Sequence, residues 1–253
     1  MDVQAHFQKV LALCSAYLQK KDAAAAVQVE QLLPDTLRLF EVYTGDTSSI
    51  TGLLATQHCV LALYNVENLF RPQRAIDHAG RAALGYTSFL KAKGDSISPE
   101  EKKNNAAWRD CMTLVKAYCL YQQQDFDGML ALLKSVPASA LSTALAGSAL
   151  CRIALTKDAS AAWPAYSTLF NMDRLLQGPD PIDWKYKEDI FRTAYGMLSM
   201  LYAKGVPGED RIPRDIHKAL ACSYKVHSLL TDKQQKAWVM EDILGYIKQV
   251  PLS

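Results

Sequence analysis

Residues 98–127, SPEEKKNNAAWRDCMTLVKAYCLYQQQDFD, carry the signals from which the fold class of this chain can be predicted. Ser98 can cap a helix with its hydroxyl, Pro99 suits the first helical turn, and Glu101 can complete a capping box. The helix that begins here is expected to reach about Gln123, and Asp125 can then cap a second helix. The stretch therefore predicts two consecutive helices joined by a short turn.

Caps and helix breakers of the same kind recur along the whole chain. Apolar residues spaced three and four apart lie between them, whereas no stretch alternates apolar and polar residues as a strand would. The helix ending near Tyr43 contains Pro34, at which it continues or kinks. The predicted helices cover 3–19, 22–43, 50–69, 72–93, 98–123, 126–135, 139–155, 159–177, 184–204, 214–229 and 231–250.

These helices fall into pairs with short connections, and short connections make neighbouring helices antiparallel. The pairs recur at intervals of roughly 40–50 residues, which is typical of helical repeat arrays. We therefore expect an all-α fold, a right-handed α-solenoid of about five antiparallel helix pairs plus a C-terminal capping helix. Residues 1–253 are expected to form a single helical-repeat domain. A soft boundary is possible near 178–183, where Gly178-Pro179-Asp180-Pro181 interrupts the pattern.

Two stretches resemble known repeat families. Residues 117–127 (AYCLYQQQDFD) resemble the turn of a tetratricopeptide repeat, although Gln124 stands where that family has glycine and Met129 where it has a small residue. Residues 198–205 (LSMLYAKG) with 212–220 (IPRDIHKAL) resemble a Sel-like repeat, with Ser199 in place of the usual glycine. The resemblance implies a superhelical stack of helix pairs that binds other proteins.

The charge and hydropathy of the chain exclude several partners. Its net charge is +2, from 28 basic and 26 acidic residues, and the basic clusters Lys20-Lys21 and Lys102-Lys103 are short and lie next to acids. Nucleic-acid binders gather such charges on one face, so no nucleic-acid partner is expected. Apolar runs such as Met129 to Leu133 are far shorter than the ~18 residues of a membrane span, so no membrane insertion is expected.

The cysteines and the N-terminus bear on localisation. No C-x-x-C pair occurs, and all six cysteines fall on apolar helix faces, which predicts buried free thiols in a reducing compartment. They are Cys14, Cys59, Cys111, Cys119, Cys151 and Cys222. The N-terminus lacks a signal sequence. We expect an intracellular, cytoplasmic protein, and import after removal of a presequence stays open.

Sequence motifs of catalysis are lacking. The five histidines include no H-x-x-x-H pair, and His58 and Cys59 are adjacent, so on a helix they point about 100° apart. No G-x-S-x-G, Walker or G-x-G-x-x-G motif occurs. Carboxylate pairs such as Glu100-Glu101 are expected in exposed first turns. We therefore expect no enzyme activity, no cofactor and no metal site.

The chain is therefore expected to bind another protein, as an interaction scaffold or as a subunit of a larger assembly. A client-specific chaperone or targeting adaptor is one alternative, and an enzyme with a cryptic helical active site is another. In the tetratricopeptide register, an uncharged groove would hold a partner helix or extended peptide. Its expected contact residues are Gln57, Tyr64, Asn68, Tyr118, Tyr121 and Gln122.

Overall fold

A computed structural model of the protein describes residues 2–175, 186–205 and 214–250. These residues form eleven α-helices and one short 3-10 helix and contain no β-strand, which confirms the all-α prediction. No helix within these ranges is both long enough and apolar enough to cross a bilayer. The helices are α1 Val3–Lys20, α2 Ala23–Val42, α3 Ser48–Glu67, α4 Pro72–Lys93, α5 Pro99–Gln122, α6 Phe126–Leu133, α7 Ala140–Thr156, α8 Ala162–Leu175, α9 Lys187–Lys204, α10 Ile216–Leu229 and α11 Lys233–Ile247, with the 3-10 helix at Ala159–Ala161.

The caps foreseen from the sequence explain where several helices begin. The Ser98 hydroxyl accepts a hydrogen bond from the Glu101 N–H at 3.1 Å, and the Asp125 carboxylate accepts one from the Gly128 N–H at 3.0 Å. Helix α2 continues through Pro34, which lies inside a single helix. The predicted break at 178–181 and the beginning of the helix predicted over 184–204 lie outside the described residues.

The contacts divide the chain into two compact units, Met1–Gly128 (unit 1) and Met129–Ser253 (unit 2). The division falls inside α6. The boundary predicted near 178–183 falls outside the described residues, and a single continuous repeat array stays a prediction.

Unit 1 is organised around α3. Helices α1, α2, α4 and α5 all contact α3, and nearly every residue of α3 from Gln57 to Glu67 is buried. Small residues let α4 approach closely, because a Cβ added at Gly85 would lie 2.8 Å from the Ala55 Cβ. The core of unit 1 therefore surrounds one helix that is buried on every side.

In unit 2, α7 contacts both α8 and α9, α9 contacts α10, and α10 contacts α11. Cys151, Ala165 and Leu201 are buried together where α7, α8 and α9 meet. Gly147 permits the close contact of α7 with α8, since a Cβ there would lie 2.5 Å from the Leu169 side chain. Each hairpin of this unit thus packs on the next one along the chain.

The turn between α5 and α6 contains a residue with a left-handed backbone. Gln124 has φ 62°, in the left-handed region that a glycine enters without steric cost. We expect Gln124→Gly to raise the free energy of unfolding by about 1 kcal/mol, because an L-residue in this region carries a penalty of that size. Urea denaturation followed by circular dichroism measures the change.

Gln123→Gly is the matched control for this turn. Gln123 has φ −84°, which any residue adopts, so glycine there brings only its entropic cost. We expect this variant to be unchanged or slightly less stable than wild type. Equal effects of the two glycines would contradict the role given to the left-handed backbone.

Candidate partner-binding cleft

An open cleft of about 330 Å³ lies between α1, α3 and α5 in unit 1. Helix α1 supplies one wall, Thr56 of α3 contributes to the lining, and Trp108 of α5 supplies the side opposite α1. The α1 residues that line it are Leu11, Cys14, Ser15, Leu18 and Gln19. The volume is at the lower end of the range of small-molecule sites, which suits one or two large side chains.

The spacing along α1 places these side chains together. Positions 11, 14, 15, 18 and 19 follow the three-and-four spacing of a single helix face. The core side of the helix is formed by Val10, Cys14 and Tyr17, which are all buried. Leu11 adds a further apolar side chain next to this side, and 49% of its surface is exposed. The apolar face of α1 is therefore wider than its own unit covers.

The described residues that line the cleft include no charged side chain. The Thr56 hydroxyl donates to the Gly52 carbonyl at 2.9 Å and accepts a hydrogen bond from the Tyr86 hydroxyl at 3.3 Å. Burial raises the pKa of the Cys14 thiol to about 12, so this thiol stays protonated at neutral pH. The cleft thus offers an apolar surface with few polar atoms at its edge.

The structure places the six predicted contact residues in different surroundings. Gln57, Tyr64 and Tyr118 are buried in the fold. Gln57 is fully buried, and its amide points to the Val29 carbonyl at 3.5 Å. The Tyr64 ring meets the Tyr17 ring edge-on, with 6.0 Å between centroids. These three side chains contribute to the core and leave little surface for a partner.

The other three predicted residues keep accessible surface. Asn68 is exposed at the end of α3, where its Oδ1 accepts a hydrogen bond from the Tyr17 hydroxyl at 3.0 Å. Tyr121 is half-buried and packs against Phe126 at 5.6 Å, and Gln122 is exposed at the end of α5. None of the six lines the cleft described above. Their contact with a partner stays a prediction.

A buried carboxylate joins α1 to α3 in unit 1. Glu67 is 4% exposed, and its carboxylate accepts hydrogen bonds from the Tyr17 hydroxyl at 3.1 Å and from the Lys21 ammonium at 3.2 Å. Burial and the Glu67 carboxylate raise the pKa of the Tyr17 hydroxyl, so it remains a donor. The arrangement ties the C-terminal ends of the two helices together.

The cysteine thiols of the chain are shielded from solvent. All six cysteines are buried. Burial raises the pKa of Cys111 and Cys119 to about 12 and of Cys151 to about 11, which keeps these thiols protonated at neutral pH. The described ranges contain no group of three or more His, Cys, Asp or Glu side chains placed to hold a metal ion.

The structure also shows two features that sequence reasoning missed. It brings His58 and His78 into hydrogen-bond contact, and it leaves the cleft wall of α1 uncovered. The width of the apolar face of α1 is the sequence signal that could have indicated the cleft. Comparisons of this chain with protein-family models, with curated proteins and with solved structures found no match.

Proposed function

We propose that this chain is a protein-interaction module that binds an apolar helix or extended segment of a partner in the cleft between α1, α3 and α5. The observation that carries the proposal is the uncharged apolar lining of that cleft, in which Leu11 and Trp108 keep accessible surface. Burial of apolar surface contributes roughly 25 cal/mol per Å², so an exposed Leu beside a Trp favours an apolar occupant.

We propose a right-handed α-solenoid as the underlying arrangement, and the order of helix contacts supports the stacking of successive helix pairs. In unit 1, α3 contacts α1 and α5 as well as its chain neighbours α2 and α4. In unit 2, α7 contacts α9 in the same way. First helices of successive pairs contact each other in tetratricopeptide arrays and line the concave surface, and the cleft lies among helices in those positions.

The chemistry of the lining favours one class of occupant. A charged peptide would lose hydration in the cleft without gaining an opposite charge from the lining, which costs free energy. A partner segment with one or two large apolar side chains loses little hydration and fills the space between Leu18 and Trp108. The Ser15 hydroxyl and the Gln19 amide can then bond to its backbone. The buried cysteines of the chain suit a reducing, intracellular setting for this binding.

The test places a charge in the cleft. We expect Leu11→Asp to weaken partner binding at least tenfold, because a carboxylate next to an apolar occupant is left without a compensating partner. Leu11 is half-exposed, so the fold tolerates the change. Proteins captured by wild type from native extract would be identified by mass spectrometry, and peptides from them titrated against both proteins by calorimetry.

Leu84→Asp provides the matched control. Leu84 is 71% exposed on α4 and does not belong to the described lining of the cleft. We expect Leu84→Asp to bind as wild type does, and Trp108→Ala to weaken binding as Leu11→Asp does. Peptides that bind Leu11→Asp and wild type equally would show that the cleft is not the binding site.

A further inference from the structure

His58 of α3 and His78 of α4 meet at the contact between these two helices. Their Nδ1 atoms lie 2.9 Å apart, and the ring centroids are 5.1 Å apart with the planes tilted by 33°. His58 is 6% exposed, and His78 is half-buried. His58 lies on α3, the central helix of unit 1, two positions from the cleft residue Thr56.

The geometry limits the number of protons that the pair can hold. In a hydrogen bond between two Nδ1 atoms, one imidazole donates its N–H and the other accepts with a lone pair. The accepting ring must therefore be unprotonated at Nδ1. When both rings become imidazolium, both Nδ1 atoms carry hydrogen, the hydrogen bond is lost, and two positive charges face each other at contact distance.

The charged groups around the pair decide how readily protons bind. Arg81 and Arg74 of α4 disfavour a further positive charge, whereas Asp77 of α4 and Glu30 of α2 favour one at His78. Glu30 is engaged with Arg74 at 3.6 Å, which weakens its effect on the imidazole. Burial is the largest cause of the lowered pKa of both histidines, followed at His58 by the charges of His78 and Arg81.

We propose that the His58–His78 pair is a proton-sensitive latch between α3 and α4, which holds the two helices together near neutral pH and lets them separate on acidification. The proposal does not rest on the partner binding proposed above, because neither histidine lines the cleft. Protonation of the pair turns a satisfied contact into two facing positive charges, and the buried His58 imidazolium can be hydrated only if the helices separate.

The direction of the pH effect follows from the histidine pKa values. Burial lowers the pKa of His58 from 6.5 to about 4, so the unfolded chain binds this proton more tightly than the folded chain. The neutral pair therefore makes its full contribution to the free energy of unfolding above about pH 6.5, and this contribution is lost as the pH falls through about 4. This histidine alone is expected to lower the folding equilibrium constant about 100-fold between pH 7.5 and pH 4.

Hydrogen exchange with mass spectrometry measures the opening of α3 and α4 in the full chain. Protection factors of α3 and α4, corrected for the intrinsic exchange rate, are measured between pH 7.5 and 4 in wild type and in the double variant His58→Asn/His78→Asn. Asparagine amides place donors and acceptors near the Nδ1 positions but do not gain charge. We expect protection in wild type to fall about 100-fold more than in the double variant.

His217→Asn serves as the control, because His217 is an exposed histidine of unit 2. This variant is expected to keep the full wild-type pH dependence of α3 and α4. If the double variant does not fold, NMR titration of the wild-type His58 imidazole decides, with a neutral ring expected at pH 6. The proposal is overturned if the double variant keeps the wild-type pH dependence, or if the His58 imidazole protonates near pH 6.5 while α3 stays protected.

Discussion

Gly85→Ala is expected to lower the free energy of unfolding by about 2 kcal/mol. A Cβ at this position would lie 2.8 Å from the Ala55 Cβ, 3.3 Å from the Ala55 Cα and 3.6 Å from its backbone nitrogen. Because these atoms belong to the backbone of α3 and its first side-chain carbon, no rotamer change can relieve the contact. Overpacking of this kind costs about 3 kcal/mol, and the better helix propensity of alanine offsets about 1 kcal/mol.

Gly80→Ala tests the same substitution in the same helix without the close contact. The nearest atom to a Cβ at Gly80 is the Lys116 Nζ at 3.8 Å, which is an ordinary van der Waals distance. We expect this variant to be about 1 kcal/mol more stable than wild type, from helix propensity alone. Urea unfolding followed by circular dichroism measures both variants. A Gly85→Ala protein as stable as Gly80→Ala would disprove the close approach of α3 and α4.

The second large effect is expected from the buried carboxylate of Glu67. Lys21→Met removes the ammonium that lies 3.2 Å from this carboxylate, which is 4% exposed. Removal of one partner from a fully buried ion pair costs about 3–5 kcal/mol. Because the Lys21 side chain is 42% exposed, we expect a smaller loss of about 2 kcal/mol in the free energy of unfolding.

A double-mutant cycle separates the charge interaction from the packing of the lysine stem. In Lys21→Met/Glu67→Gln the buried charge is gone, while the amide oxygen can still accept from the Tyr17 hydroxyl. We expect this double variant to be more stable than Lys21→Met alone, since no carboxylate is left without the ammonium. Lys20→Met, at an exposed neighbouring position, should change stability by less than about 0.5 kcal/mol. Strictly additive single effects would contradict the ion-pair interpretation.

Local signals in the sequence predicted most helix boundaries of the described residues. Ser98 and Asp125 cap the helices that their positions suggested, and α4 begins at Pro72 and ends at Lys93 as expected. These features depend on side chains and backbone groups within one turn of each other. Amphipathic spacing likewise indicated that α1 has a core-facing side, which Val10 and Cys14 form.

The candidate contact residues show what local sequence signals could not predict, which is how far neighbouring helices bury each side chain. The predicted groove positions follow from a repeat register along one helix at a time, and that register contains no information on how many neighbours cover each helix. Four helices contact α3, so Gln57 and Tyr64 are buried and little of the predicted surface remains. Helix α1 has fewer neighbours, and its Leu11 is left accessible in the cleft with Trp108.

The sequence by itself determined that this chain folds into helices, where most of the described helices begin and end, and that its cysteines are buried. Tertiary structure alone decided which apolar faces stay uncovered and which distant polar groups meet, as His58 meets His78 and Tyr17 meets Glu67. The physical reason is the separation along the chain over which each kind of interaction acts. Capping and helical periodicity act over three or four residues, whereas burial and charge pairing depend on helices that the chain brings together from 20 to 50 residues apart.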